Sequence, residues 1–224
     1  MLQHGLFFKP TDDFFPLHCD SVLCCSEREK RIYVQEGVSP NRVRVLGIPL
    51  QTIGSNENND SDSLGPQYEL LILLTYVDSN NSKLLGDVLD FVRNNYNNVL
   101  LRFRPRSKDN DIKLLQDHLE GFIISEGFDI SYDISRSKRC ITFSADAIVE
   151  VVKMKKPFVY IWLKEYLEFI QDIQCATMDN YKEHIQSLLE KDNYTSKMQS
   201  FATDMIGEQD VNILRERFID YIRA

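Results

Sequence analysis

The sequence has no long apolar run and no excess of basic residues. No stretch approaches the ~20 apolar residues that a membrane-spanning helix requires, and the first residues lack the charged and apolar regions of a signal peptide. We therefore expect a cytoplasmic protein with at most peripheral membrane association. The 26 Lys and Arg residues against 34 Asp and Glu residues give a formal net charge of −8. This balance argues against nucleic acid as a partner, because neutralising phosphates requires a basic surface.

The sequence also lacks a metal-binding or redox pattern. Its 5 cysteines are odd in number, and none has zinc-ligand spacing with a histidine. Adjacent Cys24 and Cys25 end an apolar run, which predicts buried thiols in a reducing compartment. The acidic pair Asp60 and Asp62 lies in a polar stretch rather than at a strand end. We therefore predict no metal and no cofactor.

Common catalytic and nucleotide-binding signatures are missing as well. The sequence contains no Walker loop, no Gly-x-Gly-x-x-Gly turn, no Gly-x-Ser-x-Gly elbow and no His-Glu-x-x-His helix. Its 224 residues are 43% hydrophobic and 27% charged. This composition is that of an ordinary globular protein with a sizeable core.

Strands and helices alternate regularly in the second part of the chain. Continuous apolar segments of strand length are separated by segments with apolar residues at helical spacing. This alternation predicts a parallel sheet with helices on both faces, a Rossmann-like α/β fold. The predicted strands are Tyr68–Tyr76, Asn98–Phe103, Gly121–Ser125, Arg139–Phe143 and Pro157–Trp162, and the predicted helices are Lys83–Tyr96, Asp111–Leu119 and Ala145–Met154.

A polar segment divides the chain. Residues 51–67 are rich in Asn, Ser, Asp and Gly, which is typical of a flexible linker. Before it, residues 1–50 contain two predicted strands and a helix, and they are interpreted as part of a second α/β domain. After it, residues 68–180 form the main domain, and residues 181–224 are predicted to be helices that pack back on the N-terminal part.

Parallel α/β sheets bind ligands beyond the carboxyl ends of their strands, so the corners after Leu74, Phe103 and Phe143 are the candidate sites. In the third corner, Ser144 is a suitable N-cap, and the amides after it point at any bound anion. Glu150 lies near the second turn of that helix, where its carboxylate can accept hydrogen bonds from ribose hydroxyls. The alternative is a capped helix with a solvated Glu150.

The second corner is rich in arginine. Arg102, Arg104 and Arg106 alternate, so in a strand all three side chains project from one face. Guanidinium groups bind phosphate in a bidentate manner, which favours an anion site here. The alternative is a strand end at which Arg106 is exposed and the other two arginines form salt bridges.

One histidine follows a possible strand at the N-terminus. His4, in the segment Gln3-His4-Gly5, has a side chain that titrates near neutral pH and is a candidate general base. The alternative is a histidine without a catalytic role, because no partner for it is visible in the sequence.

In their order, these segments resemble the GT-B glycosyltransferases of bacterial capsule and surface-polysaccharide synthesis, and also the related sugar-nucleotide 2-epimerases. The resemblance covers nearly the whole chain, although each motif is short. The N-terminal matches are Gln3-His4-Gly5, the run from Asp20 to Ser26, and the spacing of Gly37, Val43, Val45, Gly47 and Pro49. The later matches are the apolar strand Glu69–Tyr76, the Arg102–Arg106 corner, and the segment from Ser144-Ala145 through Glu150 to Lys156-Pro157.

The resemblance implies a nucleotide-sugar donor bound by the C-terminal domain. Arg102 or Arg104 and the helix start at Ser144 and Ala145 would hold the phosphates, and Glu150 would hold the ribose. His4 would face the cleft as a base, and the acceptor would be a glycan. Such proteins have roughly 100 more residues in their first domain. We therefore expect a truncated first domain, whose open sheet edge requires a homo-oligomer or a partner subunit.

Three functions follow from these observations. The first is glycosyl transfer from a nucleotide sugar to a bacterial surface-polysaccharide acceptor. The second is a non-catalytic, sugar-nucleotide-binding subunit that requires a partner chain. The third is a 2-epimerase-like activity on a UDP-sugar, which would require several carboxylates in the cleft.

Overall fold

A computed structural model of the chain describes residues 20–47, 66–105, 107–127, 129–162, 175–190, 195–208 and 210–223. Its contacts divide the chain into two compact units. The smaller unit contains the described residues within 20–47 and 199–223, and the larger unit contains those within 66–162 and 175–198. No helix among the described residues is long and apolar enough to cross a membrane.

Strands and helices alternate along most of the described chain. The strands are β1 (Val22–Cys24), β2 (Val43–Val45), β3 (Tyr68–Leu73), β4 (Val99–Arg102), β5 (Ile123–Ile124), β6 (Ser137–Thr142), β7 (Phe158–Trp162) and β8 (Cys175–Thr177). The helices are α1 (Glu27–Gln35), α2 (Ser82–Asn95), α3 (Lys108–Leu115), α4 (Ile130–Ser135), α5 (Ala145–Lys153), α6 (Tyr181–Leu189), α7 (Ser196–Ile206) and α8 (Val211–Arg223).

The larger unit contains one parallel sheet of 6 strands in the order β5-β4-β3-β6-β7-β8. Strand β3 runs through its middle, and Leu70, Leu71 and Ile72 are fully buried there because both faces of the sheet are covered. Helix α2 turns Leu85, Val88, Leu89 and Val92 toward the core at helical spacing. The predicted Rossmann-like α/β fold is confirmed.

The structure differs from the sequence prediction in several elements. Strand β4 ends at Arg102 rather than at Phe103. Helix α3 begins at Lys108, three residues earlier than expected, and it ends in a short 3₁₀ turn over Gln116–His118. Helix α4 and strand β8 were not predicted, because segments of six and three residues are too short to show a period.

In the smaller unit, β1 precedes α1 in the chain and β2 follows it, and the two strands pair with each other in parallel. Ser26 is the N-cap residue of α1, and its Oγ accepts a hydrogen bond from the amide of Glu29 at 3.3 Å. The Glu29 carboxylate in turn accepts one from the amide of Cys25 at 2.7 Å. This reciprocal arrangement satisfies amides at the helix start and fixes the turn that follows β1.

The cysteines Cys24, Cys25 and Cys140 are buried free thiols, as predicted for the first two. Burial raises the pKa of Cys24 to about 12, and the nearby Glu29 carboxylate adds to the effect. Burial also raises the pKa of Cys140 to about 12. Thiolates are the reactive form, so these side chains act as small apolar groups of the core.

Gly37 and Gly207, two of the three glycines with positive φ angles among the described residues of the smaller unit, have different surroundings. Gly207 has φ +67°, and a Cβ there would overlap the carbonyl oxygen of Cys25. Gly37 has φ +88° and has no atom within 4 Å of such a Cβ. The segment after α7 therefore approaches the β1–α1 turn so closely that only glycine fits.

We expect Gly207→Ala to lower the free energy of unfolding more than Gly37→Ala does. Both substitutions place a side chain in the left-handed region, which costs about 1–2 kcal/mol, but only the first also forces two backbone segments apart, adding about 1–3 kcal/mol. Urea unfolding followed by circular dichroism measures both variants. Equal losses would show that the contact between Gly207 and Cys25 is not tight.

Candidate functional site

The candidate site is a cleft at the carboxyl edge of the larger unit's sheet. Strand order reverses between the neighbouring strands β3 and β6. The chain continues from β3 to β4 on one side and from β6 to β7 on the other, so the connections after these two strands diverge. A cleft of about 270 Å³ opens at this point. All three corners chosen from the sequence contribute to its lining, which consists of Leu73, Leu74, Arg102, Phe103, Arg104, Pro105, Ile130, Ser144, Ala147 and Glu150.

The arginines of the second corner have different surroundings. Because β4 ends at Arg102, the expectation that the arginines continue along one strand face is wrong. The Arg102 side chain is 8% exposed, and its Nη1 donates to Asp133 Oδ2 at 2.5 Å. The same nitrogen donates to Ser125 Oγ at 3.5 Å and to the carbonyl of Gly127 at 3.1 Å. For Arg102 the sequence left open an anion site or a salt bridge, and the structure contains the salt bridge.

Arg104 lies beyond the strand end and is exposed at the cleft. Its carbonyl accepts a hydrogen bond from the amide of Ser107 at 3.2 Å, which turns the chain toward α3. No ion pair of its guanidinium group is found within the described part of the chain. Arg104 is therefore the cleft cation that is available to a bound anion, whereas Arg102 is engaged with Asp133.

The third corner presents an uncapped helix start. Ser144 occupies the N-cap position of α5, as predicted, but its side chain makes no capping hydrogen bond. Instead, the Ser144 amide donates to Thr142 Oγ1 at 3.1 Å, and Thr142 Oγ1 donates to the Ser144 carbonyl at 2.9 Å. The first amides of a helix have no partner within it, so those of Ala145 and Asp146 point into the space before α5. The side chains of Ala145 and Asp146 lie outside the described part.

Glu150 lies on the second turn of α5, where the sequence placed it. Its Oε1 accepts a hydrogen bond from Lys153 Nζ at 2.8 Å, and its side chain is 28% exposed. Lys153 does not line the cleft. The carboxylate therefore has a second oxygen for a ligand hydroxyl.

Ile130 is a lining residue that the sequence reasoning missed. It is the first residue of α4, and Asp129 caps this helix by accepting a hydrogen bond from the amide of Ser131 at 2.8 Å. An aspartate before an apolar residue is a helix-start signal that would have identified α4. The buried partner of Arg102, Asp133, belongs to the same short helix.

Two residues of the sequence prediction lie outside the described part. They are His4, the candidate base, and Arg106, the third arginine of the corner. The described ranges also contain no group of three or more His, Cys, Asp or Glu side chains arranged to hold a metal ion.

Comparison with known proteins identifies relatives by structure alone. No protein-family model matches the sequence, and a search of curated sequences finds no relative. Among solved structures, the UDP-GlcNAc 2-epimerase of Methanocaldococcus jannaschii in complex with UDP-GlcNAc and UDP aligns with a TM-score of 0.65 at 17% identity, covering 91% of this chain and 61% of the epimerase. A glycosyltransferase of Rickettsia africae aligns with a TM-score of 0.60 at 13% identity, covering 99% of this chain and 69% of that one.

A third match is HepE of Anabaena in complex with UDP and glucose, with a TM-score of 0.60, 15% identity, and coverage of 92% of this chain and 63% of HepE. The chain thus spans about three fifths of the length of the epimerase and of HepE. At such identities the likeness concerns the fold. The chain has the Rossmann-like fold shared by GT-B glycosyltransferases and UDP-GlcNAc 2-epimerases.

Proposed function

We propose that the cleft of the larger unit binds a nucleoside-diphosphate sugar, and that the chain serves in glycosyl transfer to a bacterial surface-polysaccharide acceptor. The observation that supports this proposal is the set of polar groups that line the cleft together. They are the exposed guanidinium of Arg104, the helix start at Ser144 and the carboxylate of Glu150.

Each group matches one part of such a ligand. Free amides at the start of α5 and the helix dipole favour a diphosphate, and Arg104 adds a fork of donors that fits phosphate oxygens. Glu150 lies six residues after Ser144, which corresponds to roughly 9 Å along a helix. A ribose attached to a diphosphate at the helix start would bring its hydroxyls to that carboxylate.

In glycosyl transfer, the departing nucleoside diphosphate gains negative charge as the bond to the sugar breaks. Preorganised donors that face this charge lower the barrier, and the start of α5 with Arg104 would act in this way. His4 is proposed as the base that accepts the acceptor's proton. No metal is required by this arrangement, because the helix start and the guanidinium supply the positive potential.

A UDP-GlcNAc 2-epimerase-like reaction is the second candidate, favoured by the structural likeness to the epimerase from M. jannaschii. A third is a subunit that binds the donor and leaves catalysis to a partner chain. Incubation with UDP-sugars separates the three. Transfer to an added acceptor produces UDP and a glycosylated acceptor, and epimerisation produces a second sugar nucleotide. A binding subunit leaves the UDP-sugar and the acceptor unchanged.

We expect one class of nucleotide to stabilise the protein against heat. UDP is the first ligand to test, since two of the neighbouring structures contain it, followed by CDP-, CMP- and GDP-sugars. At a concentration of about 100 times Kd, a ligand of the native state adds ~2.7 kcal/mol to the free energy of unfolding. Thermal unfolding with each nucleotide measures this, and no shift with any of them would contradict donor binding.

We expect Glu150→Gln to weaken binding of UDP by about 10- to 100-fold, because a hydrogen bond to a charged group contributes about 1.5–3 kcal/mol. Lys153→Gln is the matched control: it breaks the same ion pair but leaves the carboxylate in the cleft. Titration calorimetry compares the two. If both variants bind UDP as tightly as the unaltered protein, the carboxylate is a solvated surface group.

We expect Arg104→Gln to weaken binding of UDP but not of uridine, since only UDP carries phosphates for the guanidinium. The loss should shrink at high salt, because Arg104 is exposed and its charge is screened. Lys113→Gln is the control, as it removes an exposed charge of α3 that lies outside the cleft. Equal losses for uridine and UDP would place Arg104 away from the phosphates.

A further inference from the structure

Thr142, the last residue of β6, is fully buried, and its hydroxyl bonds to the backbone of a near neighbour. Its Oγ1 accepts a hydrogen bond from the Ser144 amide at 3.1 Å and donates one to the Ser144 carbonyl at 2.9 Å. Both backbone polar groups of Ser144 are therefore bonded to a side chain of the strand that precedes it.

The sheet holds Thr142 in place from both sides. Thr142 is paired with Leu73 of β3 and with Tyr160 of β7. The next residue, Phe143, still bonds to β3 through its amide, which donates to the Leu73 carbonyl at 3.0 Å. The hydroxyl of Thr142 is thus carried by a fixed part of the sheet, and the chain turns into α5 directly after it.

Ser144 lies between this fixed strand end and the helix. Its carbonyl also accepts a hydrogen bond from the Ala147 amide at 3.2 Å, within the first turn of α5. One hydroxyl therefore joins the end of β6 to the first turn of the helix and sets the direction in which that turn starts. Because the Ser144 amide is occupied by Thr142, the free donors begin with the amides of Ala145 and Asp146.

The start of α1 is fixed in a different way. There the N-cap hydroxyl of Ser26 accepts a hydrogen bond from the Glu29 amide, so the cap occupies an amide of the helix. At α5 the hydroxyl comes from the preceding strand and bonds to the backbone of the N-cap residue itself, so it holds the turn without using an amide of the helix. An anion site needs a fixed turn and free amides together, because preorganised donors require no reordering when the ligand binds.

We propose that Thr142 is a positioning residue for the diphosphate. This role depends on the proposed function, in which the anion lies at the start of α5. Thr142 lies behind the cleft lining rather than in it, and it acts by holding Ser144 so that the following amides face the anion. Without the hydroxyl the turn is released and these amides lose their common direction.

The test compares Thr142→Val with Thr142→Ser in the full chain. Valine has nearly the shape of threonine but no hydroxyl, and serine keeps the hydroxyl. Inorganic pyrophosphate, UDP and uridine are titrated by calorimetry. We expect Thr142→Val to raise the Kd of pyrophosphate and of UDP about tenfold or more, as for loss of hydrogen bonds to a charged group, and to leave the Kd of uridine unchanged. Thr142→Ser should restore the Kd values of the unaltered protein.

Ile141→Val is the matched structural control. It shortens the neighbouring buried side chain of β6 and removes no polar group, so we expect lower thermal stability with unchanged binding of pyrophosphate. If Ile141→Val weakens pyrophosphate binding as much as Thr142→Val does, general loosening of β6 explains the loss and the positioning role is wrong.

Thr142→Cys covers the case in which the valine variant does not fold. A thiol is a weak donor and a weak acceptor, so we expect a smaller loss in the same direction. Unchanged or tighter binding of pyrophosphate and UDP in these variants would overturn the positioning role and leave the proposed function standing, as would an equal loss for uridine. If the unaltered chain binds neither pyrophosphate nor UDP, the proposed function fails along with this inference.

Discussion

The reversal of strand order between β3 and β6 is the constraint on which the rest of the site depends. The chain leaves β3 toward β4 and leaves β6 toward β7, so the two connections run to opposite sides and leave a gap between these strand ends. Residues at these strand ends therefore border an open cleft whatever their identity. The sequence decides which side chains line this cleft, and among them are the polar Arg104, Ser144 and Glu150 and the apolar Ile130.

The chain's few positive charges at the cleft are used for two different purposes. In a protein with a net charge of −8, an anion site must be built from local donors. Arg102 is buried against Asp133, so its charge is engaged within the protein. Arg104 remains exposed. The side chains of Ser26 and Asp129 cap α1 and α4, whereas the Ser144 side chain makes no capping hydrogen bond to α5. Positive potential is therefore left available where α5 begins.

The sequence predicted the fold and the corners better than it predicted the contacts. Continuous apolar strands such as β3 and the helical spacing of α2 are local patterns, so the α/β architecture could be read directly. The position of Glu150 on the second turn of α5 followed from the same local pattern. The pairing of Arg102 with Asp133 could not be predicted, because it depends on α4, a helix of six residues, and joins positions 31 residues apart. Arg102 and Arg104 look equivalent in the sequence. They differ because β4 ends at Arg102, which is buried, whereas Arg104 lies beyond the strand and is exposed.

In the proposed function, donor binding and chemistry are separable. The groups proposed to hold the nucleotide all lie in the larger unit, and among the described residues of the cleft Glu150 is the one carboxylate, paired with Lys153, with no histidine beside it. Such a lining can recognise phosphate and ribose, but it offers no uncommitted group for proton transfer. A base for glycosyl transfer has to come from outside this lining. Glycosyl transfer, epimerisation and a purely binding role can therefore share this cleft, and the group that faces the sugar decides between them.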